Sequence, residues 1–237
     1  MGFTFKNFHI TQDKAAMKVG TDGVLLGAWA QGGMRILDIG TGTGLIALMM
    51  AQRFPQAHID AIEVDPKALE DAHVNIESSP FHDRIKLIHS SIQYYKPSLF
   101  PPNVDNVYDA IISNPPYFIN SLKNPLQERT VARHTVTLTP KELLQHASRL
   151  LKDEGILSLI IPSDNKVIIE SEAILCGLST TKIINIKTKP SKSPKRCMIE
   201  FKKILSSLIK EEYVTLTQDN GKRSEWYHQL TKEFYIK

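Results

Sequence analysis

Cysteine is scarce in this sequence, which holds only Cys176 and Cys197. Two cysteines cannot build the disulfide framework of a small secreted domain, and this pair lacks the C-x-x-C spacing of zinc sites. We therefore expect two reduced thiols in a cytoplasmic protein and no bound metal.

Long apolar runs are also missing. No stretch approaches the ~20 apolar residues that a membrane-spanning helix needs. At the N-terminus, the charged residues Lys6, Asp13, Lys14 and Lys18 interrupt any apolar segment of a signal peptide. These absences predict a cytoplasmic protein with no membrane partner.

Charge of one sign is not in large excess either. The 237 residues carry a formal net charge of +4, with 42% apolar and 23% charged residues. This composition is ordinary for a globular protein, and the length fits one sizeable α/β domain. The mildly basic balance is compatible with a nucleic-acid partner without requiring one.

What the sequence does contain is an alternation of strand and helix patterns from about residue 34 onward. Strands are expected at 34–39, 57–63, 84–89, 108–113, 155–162, 181–187 and 197–203, and helices at 45–53, 66–77, 139–152 and 163–176. Such alternation favours a largely parallel sheet with helices on both faces. Residues 1–33, 118–138 and 211–237 do not follow it.

A glycine-rich turn, Asp38-Ile39-Gly40-Thr41-Gly42-Thr43-Gly44, joins the first of these strands to a helix. Glycines permit a sharp turn and bring backbone N–H groups close to a ligand. At the end of the next strand, Glu63 can accept hydrogen bonds from both hydroxyls of a ribose. The G-x-G-x-G spacing differs from the G-x-G-x-x-G of dinucleotide sites. A turn that merely connects strand to helix is the alternative.

With its acid two residues before the first glycine, this turn resembles the first motif of class I methyltransferases. The resemblance implies S-adenosylmethionine as cofactor and a Rossmann-like fold with a mostly parallel seven-stranded sheet. It also implies that Asp38 contacts the methionine end of the cofactor, directly or through water. The aspartate that often binds the cofactor's adenine is replaced here by Ser91. The implied cofactor contacts in this core are Asp38, Gly40, Gly42, Gly44, Glu63, Val64, Ser91, Ile92 and Asn114.

Directly after the strand at 108–113 stands the tetrad Asn114-Pro115-Pro116-Tyr117. Ligands of open α/β sheets bind beyond the carboxyl ends of the strands, so the tetrad should face the methyl donor. The side chain of Asn114 and the carbonyl of Pro115 can accept the two N–H groups of a conjugated amine, and Tyr117 can stack on a planar substrate. These roles fit adenine, cytosine or a glutamine amide. A strand end with a capped turn is the other interpretation.

The N-terminal run narrows the substrate. Residues 5–10, 12–13 and 17–30 resemble the bacterial valine-tRNA adenine-N6-methyltransferase family, and the match continues at 129, 132–134, 194–196 and 230–235. The resemblance covers nearly the whole chain. It implies a monomer-sized cytoplasmic enzyme that methylates the adenine just 3′ of the tRNA anticodon. It also implies an N-terminal segment over the cofactor, with Lys18, Thr21 and Asp22 as contacts; a merely packed N-terminal segment is the alternative.

On these grounds we expect one methyltransferase domain over residues 1–237. Within it, 1–33 covers the cofactor, 34–203 forms the Rossmann-like core and 204–237 is a C-terminal extension. A basic cluster lies on the last two strands and their tip, at Lys182, Lys187, Lys189, Lys192, Lys195, Arg196, Lys202 and Lys203. The residues expected to contact tRNA are Phe118, Arg129, Arg133, His134, Lys192, Lys195 and Arg196. Solvated charges are the alternative for these basic residues.

Three other functions remain open at this point. A glutamine methyltransferase of release factors shares the tetrad, but usually carries a helical N-terminal domain that residues 1–33 are too few to form. A ribosomal-RNA or DNA amino-methyltransferase is a variant of the main prediction. A non-catalytic nucleotide-binding module is disfavoured by the intact tetrad.

Overall fold

The computed structural model of the chain describes residues 2–97, 105–115, 138–204 and 208–236. The strands of this part are β1 (Gly2–Thr4), β2 (His9–Thr11), β3 (Arg35–Ile39), β4 (His58–Glu63), β5 (Ile85–His89), β6 (Tyr108–Ser113), β7 (Leu151–Pro162), β8 (Ser179–Lys187), β9 (Arg196–Lys202) and β10 (Lys210–Thr215). The helices are α1 (Thr21–Trp29), α2 (Leu45–Arg53), α3 (Pro66–Glu77), α4 (Pro140–Leu150), α5 (Lys166–Leu175) and α6 (Glu225–Thr231), with 3-10 turns at His82–Arg84 and Ser163–Asn165.

Within the described residues, eight strands form the central sheet, in the order β10-β8-β9-β7-β6-β3-β4-β5. Among these eight described strands, β9 alone runs antiparallel to its neighbours, and every other pairing is parallel. The carboxyl ends of the seven mutually parallel strands therefore meet at one edge. This architecture confirms the Rossmann-like α/β fold that the alternation of patterns predicted.

The number of strands differs from the prediction, which was seven. The additional strand, β10, lies in the segment expected to be a C-terminal extension and pairs in parallel with β8. Three charged residues, Lys210, Glu211 and Glu212, open it, and its side chains are largely exposed. A strand at the edge of a sheet needs backbone pairing but no apolar run, so its sequence carried no strand signal.

Helices cover both faces of the sheet, as expected. On one face α1, α2, α3 and α6 bury a core with the N-terminal residues. On the other face α4 and α5 pack over a second core. Local side chains cap two of these helices: Asp65 caps α3, and Thr139 with Glu142 forms a reciprocal capping box at the start of α4.

The two ends of the described chain pack together. Phe5 forms a β-bridge with Tyr235, their rings lie 6.0 Å apart, and the amide of Lys6 donates to the carbonyl of Phe234 at 2.8 Å. Phe5 and Phe234 are buried in the same core as α1 and α2. The C-terminal residues thus dock on the body and hold the N-terminal strands in place.

Candidate active site

A cavity of about 340 Å³ opens at the carboxyl edge of the sheet. Three segments that are far apart in sequence line it: residues 17–23, residues 40–46 without Gly44, and Asn114. Its volume falls in the range of small-molecule sites. The structure therefore brings Lys18, Thr21 and Asp22 together with the glycine turn and the first residue of the tetrad.

The glycine turn holds its shape through backbone conformations that other residues rarely adopt. Gly40 and Gly42 have φ values of 71° and 58°, and a Cβ added to either would meet no atom within 4 Å. The amides of Gly40 and Thr41 donate to the carbonyl of Ile62, at 2.9 and 3.0 Å. These two amides are therefore used within the protein. Because Gly40 and Gly42 have no side chain and the space beside them is empty, they offer a ligand an open backbone surface.

Glu63, at the carboxyl end of β4, fastens this turn. Its Oε2 accepts a hydrogen bond from the amide of Gly42 at 2.9 Å, and its Oε1 accepts from Val64 and Asp65 at 2.7 and 2.9 Å. A carboxylate has about four acceptor sites, so Oε2 retains capacity for a further donor. Glu63 and Val64 lie beside the cavity but outside its lining.

Asp38 lies beneath the turn and is fully buried. Its Oδ2 accepts a hydrogen bond from the hydroxyl of Thr41 at 2.6 Å, whereas its Oδ1 has no hydrogen-bond partner among the described residues. Burial raises the pKa of Asp38 to about 7, against the opposing effect of the Thr41 hydroxyl. A buried acceptor without a donor is costly, and Asp38 lies outside the lining of the cavity, so only a donor that reaches beneath the turn can satisfy it.

The segment that follows β5 carries a similar feature. The hydroxyl of Ser91 is buried and has no hydrogen-bond partner among the described residues, and Ile92 beside it is also buried. The carbonyl of Ser91 accepts from the amide of Tyr94 at 3.2 Å, which shapes the turn. These residues lie at the same edge of the sheet as Asn114 but outside the lining of the cavity.

Asn114 follows the last residue of β6. The hydroxyl of Ser113 donates to the carbonyl of Ile39 at 2.8 Å and so ties the end of β6 to the end of β3. Asn114 is half-buried in the wall of the cavity, and Pro115 is buried. The remaining predicted residues of this region, Pro116, Tyr117, Phe118, Arg129, Arg133 and His134, lie outside the described residues.

The N-terminal side of the cavity is built by a chain segment that bonds to itself and to α3. Gln12 organises it, since its carbonyl accepts from Nζ of Lys18 and its Oε1 accepts from the amide of Val19 at 2.6 Å. Thr21 and Asp22 then begin α1, whose N-terminus faces the cavity.

The basic cluster predicted from sequence is divided by the topology. Since β8 is parallel to β7, the tip between β8 and β9 lies at the carboxyl edge, on the side of Asn114. Lys192 and Lys195 are exposed there. Lys182 and Lys203 lie at the opposite edge, where they pair with Glu212 and Asp153 at 3.5 Å. The expected eight-residue cluster is therefore not one surface.

Arg196 differs from its two neighbours on the tip. Its Nε donates to Oδ2 of Asp22 at 2.7 Å, and its Nη1 donates to the carbonyl of Lys195 at 2.9 Å. Arg196 was expected to contact RNA and Asp22 the cofactor, and both roles stay predictions. The pairing itself, between residues so far apart in sequence, had no sequence signal.

Two polar residues of α3 were also missed by the sequence. Asp71 and Asn75 are buried and form hydrogen bonds with the N-terminal segment. Their only signal was the four-residue spacing, which places both on one face of the helix.

Within the described ranges, no group of three His, Cys, Asp or Glu residues could hold a metal ion. None of the helices in these ranges has the length and apolar content of a membrane span.

Comparison with known proteins adds the family. The model of the methyltransferase small domain matches residues 16–175. A tRNA1(Val) (adenine(37)-N6)-methyltransferase of Bacteroides thetaiotaomicron is 45% identical over 99% of this chain and 97% of the relative. Its counterpart of the same name from Phocaeicola vulgatus is 44% identical over 99% of this chain and 97% of that protein.

Among solved structures, protein Atu636 from Agrobacterium tumefaciens, described as a predicted O-methyltransferase, superposes with a TM-score of 0.67. The two are 20% identical, with 90% of this chain and 96% of that chain covered, so this likeness bears on the fold alone. The relatives that match nearly end to end bear on the family. On their evidence, the chain belongs to the family of tRNA1(Val) (adenine(37)-N6)-methyltransferases, which is built on the methyltransferase small domain.

Proposed function

We propose that this chain transfers a methyl group from S-adenosylmethionine to the N6 atom of an adenine in tRNA. The target is the adenine just 3′ of the anticodon in valine tRNA. The observation that carries the proposal is the position of Asn114, which shares one cavity with the glycine turn in a chain 45% identical to a relative of that name.

The cavity and its surroundings fit the methyl donor. S-adenosylmethionine supplies an electrophilic methyl group on a sulfonium sulfur when bound. Unused acceptors on Asp38 and Glu63 and the unpartnered Ser91 hydroxyl support this proposal. We expect Asp38 to contact the methionine end of the donor, Glu63 its ribose and Ser91 its adenine. Residues 1–33 cover the donor on the core of residues 34–203, and residues 204–237 anchor this N-terminal cover.

Asn114 and Pro115 prepare the amine. The exocyclic nitrogen of adenine is conjugated with the ring and is therefore a poor nucleophile. When the side-chain oxygen of Asn114 and the carbonyl of Pro115 accept its two N–H groups, its lone pair is oriented toward the methyl group and the developing positive charge is stabilised. Pro116 stiffens this backbone and Tyr117 stacks on the base, as the sequence predicts.

On the RNA side, Lys192 and Lys195 hold phosphates at the edge of the sheet where Asn114 lies. Arg129, Arg133, His134 and Phe118 are expected to complete this contact from the segment after the tetrad. We expect the chain to act as a monomer, as the family resemblance implies.

Methylation of total tRNA tests the proposal directly. The purified chain is incubated with labelled S-adenosylmethionine and tRNA from a strain that lacks the enzyme, and the nucleosides are identified by mass spectrometry. We expect label in N6-methyladenosine from valine tRNA. Label in a purified release factor, with none in tRNA, would instead establish the glutamine methyltransferase.

A further inference from the structure

The segment between β2 and α1, residues 12–20, forms one wall of the cavity without regular secondary structure of its own; we call it the flap. Irregular backbone keeps a fixed position only when other groups satisfy its N–H and C=O groups. Inside the flap, the contacts of Gln12 with Lys18 and Val19 close a local loop. They do not attach that loop to the core, so its attachment must come from elsewhere.

Asp71 of α3 supplies one attachment. Its Oδ2 accepts hydrogen bonds from the amides of Lys14 and Ala15, at 2.9 and 2.7 Å. The Asp71 side chain is almost fully buried, and Ala15 is buried with it. A buried carboxylate that accepts two backbone amides forms strong, charge-assisted hydrogen bonds, so the middle of the flap is fixed to the helix.

Asn75, one helical turn later on the same face of α3, supplies a second attachment with two targets. Its Oδ1 accepts from the amide of Thr11 at 2.7 Å, and its Nδ2 donates to the carbonyl of Thr11 at 2.8 Å. The same Nδ2 donates to the carbonyl of Thr43 at 2.9 Å. Thr11 leads into the flap and Thr43 belongs to the glycine turn, so one buried amide joins the two walls of the cavity.

Neither side chain lines the cavity itself. Asp71 and Asn75 therefore influence a bound ligand only through the walls that they hold. Among the described residues, Asn75 is the only one whose side chain forms hydrogen bonds with both Thr11, at the start of the flap, and Thr43 of the glycine turn.

From this geometry we propose that Asp71 and Asn75 are positioning residues, which lock the flap against the glycine turn and thereby set the affinity for the methyl donor. The link to affinity rests on the proposed location of the donor in this cavity. When the hydrogen bonds of Asp71 and Asn75 are removed, the binding-competent arrangement of the flap is populated for a smaller fraction of time. Apparent affinity falls by the same fraction.

Two variants and a matched control separate positioning from general stability. Asn75→Ala removes all three hydrogen bonds, whereas Asn75→Asp keeps the acceptor for Thr11 and loses both donated bonds. Asn185→Ala is the control, since Asn185 is also buried but donates to Glu211 on the far side of the sheet. Amide hydrogen exchange of the ligand-free protein and calorimetric binding of S-adenosylhomocysteine are measured for all of them.

We expect faster exchange at residues 11–20 in both Asn75 variants, with roughly tenfold weaker S-adenosylhomocysteine binding in Asn75→Ala. The loss in Asn75→Asp should be at least as large, because its second carboxylate oxygen faces the carbonyls of Thr11 and Thr43 in place of the amide donor. Asn185→Ala should lower the melting temperature and leave both other measurements unchanged. Asp71→Asn should accelerate exchange at Lys14 and Ala15 in particular.

The proposal is overturned if the Asn75 variants lose only as much exchange protection and affinity as Asn185→Ala does. Faster exchange in the flap with unchanged S-adenosylhomocysteine affinity would overturn it as well. Failure of the proposed function gives a different result. If the chain binds S-adenosylhomocysteine normally but does not methylate tRNA, the proposed substrate is wrong, whereas the positioning role of Asp71 and Asn75 is unaffected.

Discussion

The guanidinium Nε of Arg196 lies 2.7 Å from Oδ2 of Asp22, and this ion pair joins the base of the basic tip to the wall of the cavity. Both side chains are partly buried, with 32% of Arg196 and 17% of Asp22 exposed. A pair that is shielded in this way is screened less than a surface pair. This ion pair therefore joins the tip between β8 and β9 to helix α1.

This pair predicts energetic coupling between the two residues. Arg196→Ala should weaken binding of S-adenosylhomocysteine although Arg196 lies outside the lining of the cavity. In a double-mutant cycle with Asp22→Ala, we expect an interaction energy of about 0.5–1 kcal/mol, the value for a partly exposed pair. Calorimetry on the four proteins measures it, and strictly additive losses would show that the two residues act independently.

Asp38 predicts how the stability of the ligand-free protein depends on pH. Because burial raises its pKa from 3.8 to about 7, the folded protein binds this proton more tightly than the unfolded chain does. The contribution of Asp38 to stability is therefore greatest at low pH and declines as the pH rises from about 4 to about 7.

Asp38→Asn is the test, since the amide is isosteric and does not titrate. We expect its melting temperature to fall less steeply over this pH range than that of the wild-type chain. A second readout is proton uptake or release when S-adenosylhomocysteine binds at neutral pH, which should vanish in the variant. Parallel melting curves for the two proteins would mean that Asp38 does not titrate in this range.

We predict that replacing Asn114 slows turnover and leaves binding of the methyl donor nearly unchanged. Asn114→Ala removes one preorganised acceptor for the substrate amine, which should slow single-turnover methylation by roughly two to three orders of magnitude. Asn114→Asp should retain more activity, because a carboxylate still accepts from the amine. The substrate is an anticodon stem-loop with adenine at the target position.

The same stem-loop with guanine at that position is the control for base identity. Equal rates on both loops would leave a methyltransferase whose target is not adenine. Normal turnover in Asn114→Ala would rule out the presentation of the amine by this side chain.

We predict that Lys192 and Lys195 contribute to the salt dependence of tRNA binding. If each side chain binds a phosphate, the double alanine variant should bind tRNA more weakly. The slope of log K against log salt should then become shallower by about 0.7–0.9 for each phosphate that is no longer neutralised. The matched control replaces Lys202 and Lys203, which lie at the opposite edge of the sheet. Identical slopes for the two variants would show that the tip is only a solvated surface.

Local signals in the sequence were sufficient for most of the fold. The positive φ values of Gly40 and Gly42 depend on neighbours a few residues away, and the glycine-rich pattern of this turn was visible in the sequence. The edge strand β10 was not visible, because its charged residues pair through the backbone alone. Likewise, strand β7 begins at Leu151, where the polar residues Lys152 and Asp153 gave no strand pattern.

The candidate site divides in the same way. The sequence alone identified the chemical groups themselves, namely the glycine turn, the acids Asp38 and Glu63, and the acceptor Asn114. Each lies at the carboxyl end of a strand or directly after it, and the apolar pattern of that strand is local. Tertiary structure alone decided that Asp22 meets Arg196 and that Asn75 joins the flap to the glycine turn. Such partners are separated by many residues, and their polar side chains look like solvated ones until the packing of the chain removes the water between them.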